Sequence, residues 1–573
     1  MNTLDLYTIL SYNSYRLRIS KIRTTRWFSK LECKLFMLEL SDNSIIYVTR
    51  DIERALGLDL ATPGYFIISN FTPFAKSVDN NNILLIDEKE QLDTWELLQH
   101  PKVIDYINSI KNASVLVFKN TKQIERACDE NNWKLLNPSA ELSDKIEEKI
   151  SQLEWLDDLK KYLPDYTVGT CKDVKWNNEH FIMQFNRSHT GSGTFLIENE
   201  KQLKELQTKF PERPTRTAKY IDGPLFTNNN VIAEDKILMS NISYQITGLK
   251  PFTDNKFATI GNDWTLPHKY LNEKQLEKYN KIVKDIGKKL QVDGWKGLFG
   301  VDIVVDDKTG ELFLVEINAR QPASTTFESE LQREKSSGGS LSIFEAHLLG
   351  LLDLNIKDNL TEIKNGAQIV QRVTKNIPSL HEPKYNKRID INVIKYNNTK
   401  LNSDLLRTQT HYSIMDGHNQ LNREGLKIID FITVTQKGNG WDLPRGAILA
   451  IKDNKILLIE RQKYSQHFFT PPGGTKEEFD EDILATAKRE GKEETNLDFT
   501  IPEQTPLHFN VSGRDEYYFF AENTSGKLEL GEEETARSNE DNSYELVWVD
   551  LKELKNIKLL PEGLTEKLLK HLN

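Results

Sequence analysis

The chain has 573 residues, which is too long for one hydrophobic core and predicts three to five domains or subdomains. Hydrophobic residues make up 38% and charged residues 28%, a balance typical of a globular protein that excludes a largely disordered chain. The 75 basic and 85 acidic residues give a net charge of −10, which argues against general binding to nucleic acid.

Neither a secretory signal nor a membrane span is evident. The N-terminal stretch lacks a basic start followed by an apolar core, and no run approaches roughly 18 consecutive apolar residues. Cys33, Cys128 and Cys171 are widely separated and odd in number, which suits a reducing compartment. The sequence therefore predicts a cytoplasmic protein that binds neither membranes nor nucleic acid, and it leaves open whether the protein forms a homo-oligomer.

Short apolar runs alternate with helical patterns in residues 1–130. The run at 113–118, ASVLVF, predicts a buried strand, and 123–131 predicts the helix that follows it. This alternation indicates a small α/β domain. It contains no cluster of residue types that would carry catalysis.

Residues 141–163 have apolar side chains at helical spacing, which predicts one helix ending at the Pro164 turn. Lys145 and Lys149 lie one turn apart on it, and each is either a ligand contact or a solvated helix lysine. A predicted strand ending near Gln184 then enters a loop rich in small residues, 187–194. Two glycines allow backbone N–H groups in such a loop to approach phosphate oxygens closely.

Residues 297–325 read as two strands joined by a turn at 306–310. Asp302 lies in the first strand, and Glu316, Asn318 and Arg320 follow on the second at strand spacing, so the last three share one face. Two carboxylates and an amide oxygen suit Mg²⁺, which takes few protein ligands and leaves room for phosphate oxygens. Arg320 beside them can fork onto a carboxylate or a phosphate. The alternative is a hairpin whose polar residues only face water.

The pattern of Asp302 followed by Glu316-Ile-Asn318-Ala-Arg320 resembles the metal-binding end of the ATP-grasp enzymes, many of which are carboxylate–amine or carboxylate–thiol ligases. The resemblance covers about residues 100–375. It implies that Asp302, Glu316 and Asn318 hold a metal ion and that Arg320 is catalytic. The nucleotide-binding residues that it implies are Lys145 (or Lys149), Gln184, Arg187, Ser188, Gly191, Ser192, Gly193, Lys219, Tyr220 and Ile221.

Two positions depart from the family pattern. Many ATP-grasp enzymes have a lysine where this chain has Gln184, so either Arg187 supplies the charge or the site is weakened. The acidic residue expected at the start of the adenine-binding hinge, residues 217–223, is replaced by Ala218.

Residues 441–573 read as a separate unit after a break at 436–441. A Pro-Pro-Gly-Gly loop precedes a helix on which Glu490, Glu493 and Glu494 fall at i, i+3 and i+4, and so lie within one turn. Three neighbouring acids repel each other unless a cation joins them, and they suit Mg²⁺ bound together with a diphosphate. The alternative is a solvated, glutamate-rich helix.

The sequence Arg489-Glu490-Gly-Lys-Glu493-Glu494 after a Gly-Gly loop resembles a Nudix box. The resemblance implies that Glu490, Glu493 and Glu494 are both metal ligands and catalytic residues. Two features depart from it. The stretch from Gly474 to Glu481 is one residue longer than usual, and Asn496 replaces the usual glycine, although Asn tolerates a left-handed C-cap.

These observations predict a multidomain α/β and α+β protein. An ATP-grasp fold is preceded by a small α/β domain and followed by a Nudix α/β/α sandwich. The predicted regions are an N-terminal α/β domain at 1–130, the ATP-grasp domain at 131–370, an extension and linker at 371–440, and the Nudix domain at 441–573.

The predicted function combines two activities. With ATP and Mg²⁺ or Mn²⁺, the ATP-grasp part would join a small-molecule carboxylate to an amine through an acyl phosphate. The Nudix part would hydrolyse a nucleotide diphosphate derivative. Two alternatives stay open: one domain is a non-catalytic nucleotide sensor that regulates the other, or the first activity stops at a phosphorylated product.

Overall fold

The computed structural model describes residues 43–572, except 79, 187–192, 337–339, 357, 376, 378–390, 397, 399, 438–442, 464–465, 478–479, 512–513, 532–533, 536–537 and 539–541.

The N-terminal region is a parallel five-stranded sheet. Its strands are β1 (Ile45–Val48), β2 (Tyr65–Asn70), β3 (Ile83–Ile86), β4 (Ser114–Leu116) and β5 (Lys134–Leu135), in the order β3-β2-β1-β4-β5. Its helices are α1 (Pro73–Ser77), α2 (Thr94–Gln99), α3 (Pro101–Ser109) and α4 (Lys122–Glu130), with a 3₁₀ turn at Ile52–Ala55. All four residues of β1 are buried, as expected for a parallel strand covered on both faces. The strand order reverses between β1 and β4, where sheets of this kind bind ligands at the carboxyl ends of their strands.

The predicted helix at 141–163 is wrong as a single element. The chain instead forms α5 (Ala140–Glu147), α6 (Ser151–Leu156) and a 3₁₀ turn at Asp157–Tyr162. The break between α5 and α6 is held by Asn186, whose backbone oxygen accepts from Lys149 N and whose side-chain oxygen accepts from Ile150 N. These bonds replace the helical partners that the two N–H groups would otherwise have.

A small antiparallel sheet follows. Its strands are β6 (Tyr166–Thr170), β7 (Phe181–Phe185), β8 (Thr194–Ile197) and β9 (Pro214–Lys219), in the order β6-β9-β7-β8, with α7 (Glu200–Lys209) packed against it. Its core is a separate cluster around Met183 and Phe185.

The central element is an antiparallel eight-stranded sheet. Its strands are β10 (Leu225–Ala233), β11 (Lys236–Thr247), β12 (Thr259–Asp263), β13 (Gly297–Val305), β14 (Leu312–Asn318), β15 (Ala367–Arg372), β16 (Asn392–Lys395) and β17 (Asp404–Thr410), in the order β14-β13-β10-β11-β12-β15-β17-β16. The helices of this region are α8 (Leu266–Tyr270), α9 (Glu273–Val292), α10 (Thr325–Lys335) and α11 (Ile343–Leu351). The predicted hairpin is confirmed as β13 and β14, and the sheet continues past residue 370 through β17 and β16.

A short hairpin of β18 (Met415–Gly417) and β19 (Gln420–Leu421) leads into α12 (Arg423–Lys437). The C-terminal region then contains β20 (Arg445–Lys452), β21 (Lys455–Lys463), β22 (Gln466–Thr470), β23 (Gly473–Thr475), α13 (Ile483–Thr495), β24 (Leu497–Thr500), β25 (Leu507–Val511), β26 (Arg514–Ala521), β27 (Asn523–Gly526), β28 (Asn542–Asp550) and α14 (Leu564–Leu572). The main sheet runs β22-β21-β20-β26-β25, with β20 parallel to β26.

The C-terminal region has cores of its own. Two buried clusters, centred on Leu449 and Ile448, draw all their members from residues 447–569. The region also contacts the β18–β19 hairpin, where Gln466 Nε2 donates to Asn419 O at 3.2 Å and Lys558 Nζ donates to Leu421 O at 3.1 Å. Its packing is therefore largely internal.

We expect residues 441–573, produced without the rest of the chain, to fold alone and to unfold in one cooperative transition, because the buried clusters of this region need no residue from outside it. Circular dichroism during thermal unfolding would measure this. A fragment that is soluble only when residues 1–440 are present would contradict the prediction.

In the part of the chain that the structure describes, no helix combines the length and the hydropathy needed to cross a bilayer.

Candidate active sites

A large cavity of about 1410 Å³ lies where the N-terminal sheet, the small sheet and the central sheet meet. The N-terminal sheet contributes Thr49 and Phe118, which follow the carboxyl ends of β1 and β4. The central sheet contributes Asp302 and Glu316, and the small sheet contributes Gln184. The cavity thus joins the ligand-binding edge of the first domain to the acidic hairpin.

The register of the central sheet brings the predicted acidic residues together. Asp302 pairs with Glu316 on β14 and with Thr227 on β10, so the three side chains share one face of the sheet. Thr227 Oγ1 donates to Asp302 Oδ1 at 2.6 Å, and Asn318 Nδ2 donates to Asp302 Oδ2 at 3.2 Å. Strand pairing and these two bonds fix Asp302 in the floor of the cavity.

Positive charges surround the acidic pair. Lys149 Nζ donates to Glu316 Oε1 at 2.7 Å from the break between α5 and α6. Burial raises the pKa of Asp302 to about 6, and the charge of Glu316 adds to this increase. Burial alone would raise the pKa of Glu316 as well, but Lys149 and Arg320 hold it below its ordinary value. The two carboxyl groups therefore differ in their environments although they lie side by side.

Arg320 is held by a carboxylate from the other side of the cavity. Its guanidinium pairs with Glu147 at the end of α5, and the same carboxylate accepts from Lys119, which follows β4. Burial would raise the pKa of Glu147, but Arg320 and Lys119 lower it below its ordinary value. The two contacts of Glu147 therefore connect α5 to the N-terminal domain through Lys119 and to the end of the hairpin through Arg320.

The phosphate-loop residues are placed only in part. Gln184 is buried at the end of β7, and Gly193 O accepts from Phe185 N at 3.0 Å where β7 turns towards β8. Arg187, Ser188, Gly191 and Ser192 lie outside the described residues.

The structure separates the two candidate lysines. Lys145 is exposed in the last turn of α5 and does not line the cavity, whereas Lys149 is buried and lines it. The geometry favours Lys149, the alternative that the sequence left open.

The predicted hinge lies at the edge of the same cavity. Lys219 ends β9, and Tyr220 and Ile221 follow it, all three lining the cavity. Gly223 has φ of 152°, and a Cβ there would come within 1.9 Å of Val305 O, so only glycine fits this turn. The turn brings the hinge against the end of β13.

Arg216 on β9 is a cavity residue that the sequence did not reveal. It lies directly opposite Gln184, and Gln184 Oε1 accepts from its Nε at 3.1 Å and from its Nη2 at 2.5 Å. Burial lowers the pKa of Arg216 to about 10, which still leaves it charged near neutral pH. One feature of the sequence could have pointed to Arg216. Gln184 stands where many ATP-grasp enzymes have a lysine, so the missing positive charge could be expected from a neighbouring strand.

The second candidate site lies in the C-terminal region between α13 and β23. Gly473 N donates to Glu494 Oε2 at 2.7 Å. A Cβ on Gly474 would come within 2.1 Å of Glu490 Oε2, so the glycine allows that carboxylate to pack against the loop. Glu490 and Glu494 therefore both face the Gly-Gly loop, as predicted for residues on one helical face.

Glu493 behaves differently from its two neighbours. Its side chain is 57% exposed, whereas that of Glu490 is 18% exposed, although both carboxylates pair with Arg489 Nη1, at 2.9 Å and 3.0 Å respectively. Arg489 also pairs with Asp480 through two bonds of 2.9 Å. Hydrogen bonds from Arg489 hold the pKa of Asp480 well below its usual range. Asp480 thus fills the role of the acid that anchors this arginine, and the exposed Glu481 does not.

The position of the extra residue follows from this pairing. Measured to Asp480, the loop after Gly474 has no insertion, and the additional residue falls between Asp480 and the helix, which Asp482 caps. Asn496 ends the helix with φ of 57°, the left-handed conformation expected for a residue in place of glycine.

The carboxyl group of Glu494 is shifted towards its neutral form. Burial raises its pKa to about 7, although the charge of Arg445 and the hydrogen bond from Gly473 N both act to lower it.

Across the described ranges of both sites, no three His, Cys, Asp or Glu side chains are grouped as they would be around a metal ion. In the first site Asp302 and Glu316 lie side by side and line the large cavity. In the second site Glu490 and Glu494 face the Gly473–Gly474 loop.

Comparison with known proteins matches the two sites to two domain families. Residues 146–324 match the family model described as an ATP-grasp domain. Residues 442–571 match the family model described as a NUDIX domain. The chain therefore joins an ATP-grasp domain to a C-terminal Nudix domain, which confirms both resemblances, the multidomain α/β fold class and the predicted order of the two domains.

Among curated proteins, none matches the chain. Solved structures similar to it include N5-carboxyaminoimidazole synthetase from Staphylococcus aureus complexed with ADP, at 13% identity, with 69% of this chain and 98% of that one covered and a TM-score of 0.49. L-amino acid ligase from Bacillus licheniformis shares 12% identity over 69% of this chain and 98% of its own, with a TM-score of 0.46. The biotin carboxylase domain of 2-oxoglutarate carboxylase from Hydrogenobacter thermophilus shares 12% identity over 65% and 86%, with a TM-score of 0.48.

Proposed function

We propose that the ATP-grasp part is an ATP- and Mg²⁺-dependent ligase that joins a carboxylate to an amine through an acyl phosphate. The observation that carries this proposal is the register pairing of Asp302 with Glu316 inside a cavity ringed by Lys149, Arg216 and Arg320. Such an arrangement suits phosphoryl transfer, which depends mainly on positioning and on neutralising charge.

The donor set fits a magnesium ion. Asp302 and Glu316 supply carboxylate oxygens, and Asn318 supplies an amide oxygen. A hard cation would offset both the burial and the repulsion by Glu316 that raise the pKa of Asp302. The register places these three side chains beside each other without any ligand. Bound Mg²⁺ would neutralise charge on the phosphate oxygens during transfer. Mn²⁺ takes the same kind of oxygen donors and is the alternative ion.

The chain's own side chains would orient the nucleotide. Lys219, Tyr220 and Ile221 would hold the base along the hinge, and Lys149 would contact phosphate oxygens from the break between α5 and α6. The backbone N–H groups of the 188–194 loop would cover the phosphates. Lys149, Lys219, Tyr220 and Ile221 all line the same cavity as the acidic pair.

Arg320 would steady the acceptor carboxylate or the transferred phosphoryl group. Its pairing with Glu147 fixes the guanidinium at the junction between the metal-binding face and the N-terminal sheet. The acceptor would then approach from the carboxyl ends of β1 and β4. The amine would attack the acyl phosphate from this same side.

For the C-terminal part, we propose hydrolysis of the diphosphate bond in a nucleoside-diphosphate-linked compound. Glu490 and Glu494 would hold Mg²⁺ or Mn²⁺ against the Gly473–Gly474 backbone, and Glu493 would reach the site by leaving Arg489. Bound metal would polarise the phosphoryl oxygen and activate water. The Asp480–Arg489 pair would keep the helix in register with the loop.

The alternative that one domain is a non-catalytic nucleotide sensor can be tested by measuring the turnover of each domain. Two assays would separate two enzymes from one enzyme and one sensor: ADP release with a panel of carboxylates and amines, and release of a nucleoside monophosphate from nucleoside-diphosphate-linked compounds. Mass spectrometry of ligands that remain bound through purification would narrow the substrate panel. Nucleotide binding without any turnover in one domain would assign that domain as the sensor.

We expect Lys149→Met to weaken ADP binding in the presence of Mg²⁺ by about tenfold or more, because a hydrogen bond to a charged group contributes about 1.5–3 kcal/mol. Lys145→Met, one turn away on the exposed face of α5, is the matched control and should bind ADP like the wild type. Isothermal titration calorimetry measures both. A larger loss in Lys145→Met would return the assignment to Lys145.

A further inference from the structure

Arg216 is a buried cation whose hydrogen bonds are only partly satisfied. The residue is 4% exposed and lines the cavity from β9. Its Nε and Nη2 donate to Gln184 Oε1, while its Nη1 has no hydrogen-bond partner among the described residues. A buried guanidinium with an unsatisfied donor is costly unless an anion completes it.

The partner of Arg216 holds it without cancelling its charge. Gln184 is a neutral amide, oriented by its own Nε2, which donates to Thr194 Oγ1 at 3.4 Å. Lys149 and Arg320, by contrast, are each paired with a carboxylate, Glu316 and Glu147 respectively. Arg216 therefore directs a fixed positive charge into the cavity, whereas most of the charge of the other two is already balanced.

The location of Arg216 indicates which anion it would meet. It precedes the hinge residue Lys219 by three positions on the same strand, which is about 10 Å at the usual rise of a strand. Glu316 lines the same cavity, and its charge acts on Arg216 without forming an ion pair in the described part of the chain. It thus lies between the proposed base site and the proposed metal site, where the phosphate chain of a nucleotide would run.

We propose that Arg216 binds the phosphate chain of the nucleotide and supplies from β9 the positive charge that β7 lacks at Gln184. Gln184 is then a positioning residue that fixes the guanidinium for this contact. The inference rests on the proposed nucleotide site, and it gives the departure at Gln184 a physical compensation. It requires no contribution from Arg187.

The test compares phosphate-containing and phosphate-free ligands. ADP with Mg²⁺ and adenosine would each be titrated calorimetrically into the full-length wild type, Arg216→Gln and Arg213→Gln. Arg216→Gln should lose about tenfold to a hundredfold in affinity for ADP and should bind adenosine unchanged, because only the phosphate contact is removed. Arg213 stacks on Phe185 in the same sheet and does not line the cavity, so Arg213→Gln should bind both ligands normally.

A second variant keeps the inference testable if Arg216→Gln does not fold. Gln184→Glu preserves the shape of the pair but places a carboxylate on the guanidinium, which cancels its charge towards a phosphate. It should lower ADP affinity about tenfold or more, with adenosine binding unchanged. Thermal unfolding of each variant verifies the fold.

The outcomes are distinct. ADP binding at wild-type affinity in either folded variant overturns the role of Arg216 and leaves the proposed function intact. An equal loss for ADP and adenosine also overturns it, since Arg216 would then only maintain the small sheet. A wild type that binds no adenine nucleotide with Mg²⁺ overturns the proposed function and this inference together.

Discussion

Glu316→Gln should abolish Mg²⁺-dependent ATP turnover while leaving the protein folded. The carboxylate lies opposite Asp302 and within 2.7 Å of Lys149, so the change removes one of two proposed metal-binding charges without altering the shape of the side chain. A loss on the order of a hundredfold or more is expected, because the ion stabilises the charge of the transferred phosphoryl group. ADP release from MgATP measures the effect.

Glu311→Gln is the matched control for this change. Glu311 begins the returning arm of the same hairpin and also pairs with a lysine, Lys278, but it lies at the exposed turn away from the cavity. It should retain full turnover. Turnover that survives in Glu316→Gln would contradict the metal assignment, and unfolding of that variant would show that Glu316 is part of the structural core.

Glu494→Gln should lose most diphosphate hydrolysis, on the order of a hundredfold or more, because it removes a buried carboxylate from the proposed metal site. The apo melting temperature should not fall, since a neutral amide costs less to bury than a charged carboxylate and can still accept from Gly473 N. Hydrolysis of ADP-ribose, dinucleotide polyphosphates and nucleoside triphosphates with Mg²⁺ or Mn²⁺ measures the first effect, and calorimetry measures the second.

Glu481→Gln is the control in the Nudix domain. Glu481 is the carboxylate next to Asp480, but its side chain is exposed, and Asp480 is the residue that holds Arg489. The Glu481→Gln variant should hydrolyse diphosphate substrates at the wild-type rate. Hydrolysis that persists in Glu494→Gln would mean that the metal ligands lie elsewhere. A wild type that binds but hydrolyses none of these substrates would favour the sensor.

The acidic hairpin could be predicted because its information is local. Alternation of apolar and polar residues sets which side chains share a face of a strand. The turn alone would pair Asp302 with Val315, and an irregularity between Asp302 and Ile303 shifts the pairing to Glu316. The grouping of Glu490 with Glu494 is equally local, because helical spacing alone puts them on one face.

The residues that the sequence did not reveal depend on distant contacts. Arg216 faces the cavity only because β9 pairs with β7, 32 residues earlier, and an arginine within Pro214–Lys219 reads as an ordinary strand residue. The choice of Lys149 over Lys145 depends on the helix break, which Asn186 stabilises from another part of the chain.

The anchoring acid of the Nudix helix shows a third limit. Asp480 and Glu481 are adjacent carboxylates, and a search for a glutamate after Gly474 selects Glu481 although that stretch is one residue longer than usual. Asp480 is the residue that is buried and bonded to both Arg489 and Thr486. The side-chain contacts seen in the structure decide between the two residues.

The central claim is that the chain carries two independent phosphate-directed active sites, and a crossed assay tests it most directly. MgATP turnover with carboxylates and amines, and hydrolysis of nucleotide diphosphates, would be measured in parallel on wild type, Glu316→Gln and Glu494→Gln. We predict that Glu316→Gln loses only the first activity and Glu494→Gln only the second. Loss of both activities in either folded variant, or turnover at neither site in the wild type, would contradict it.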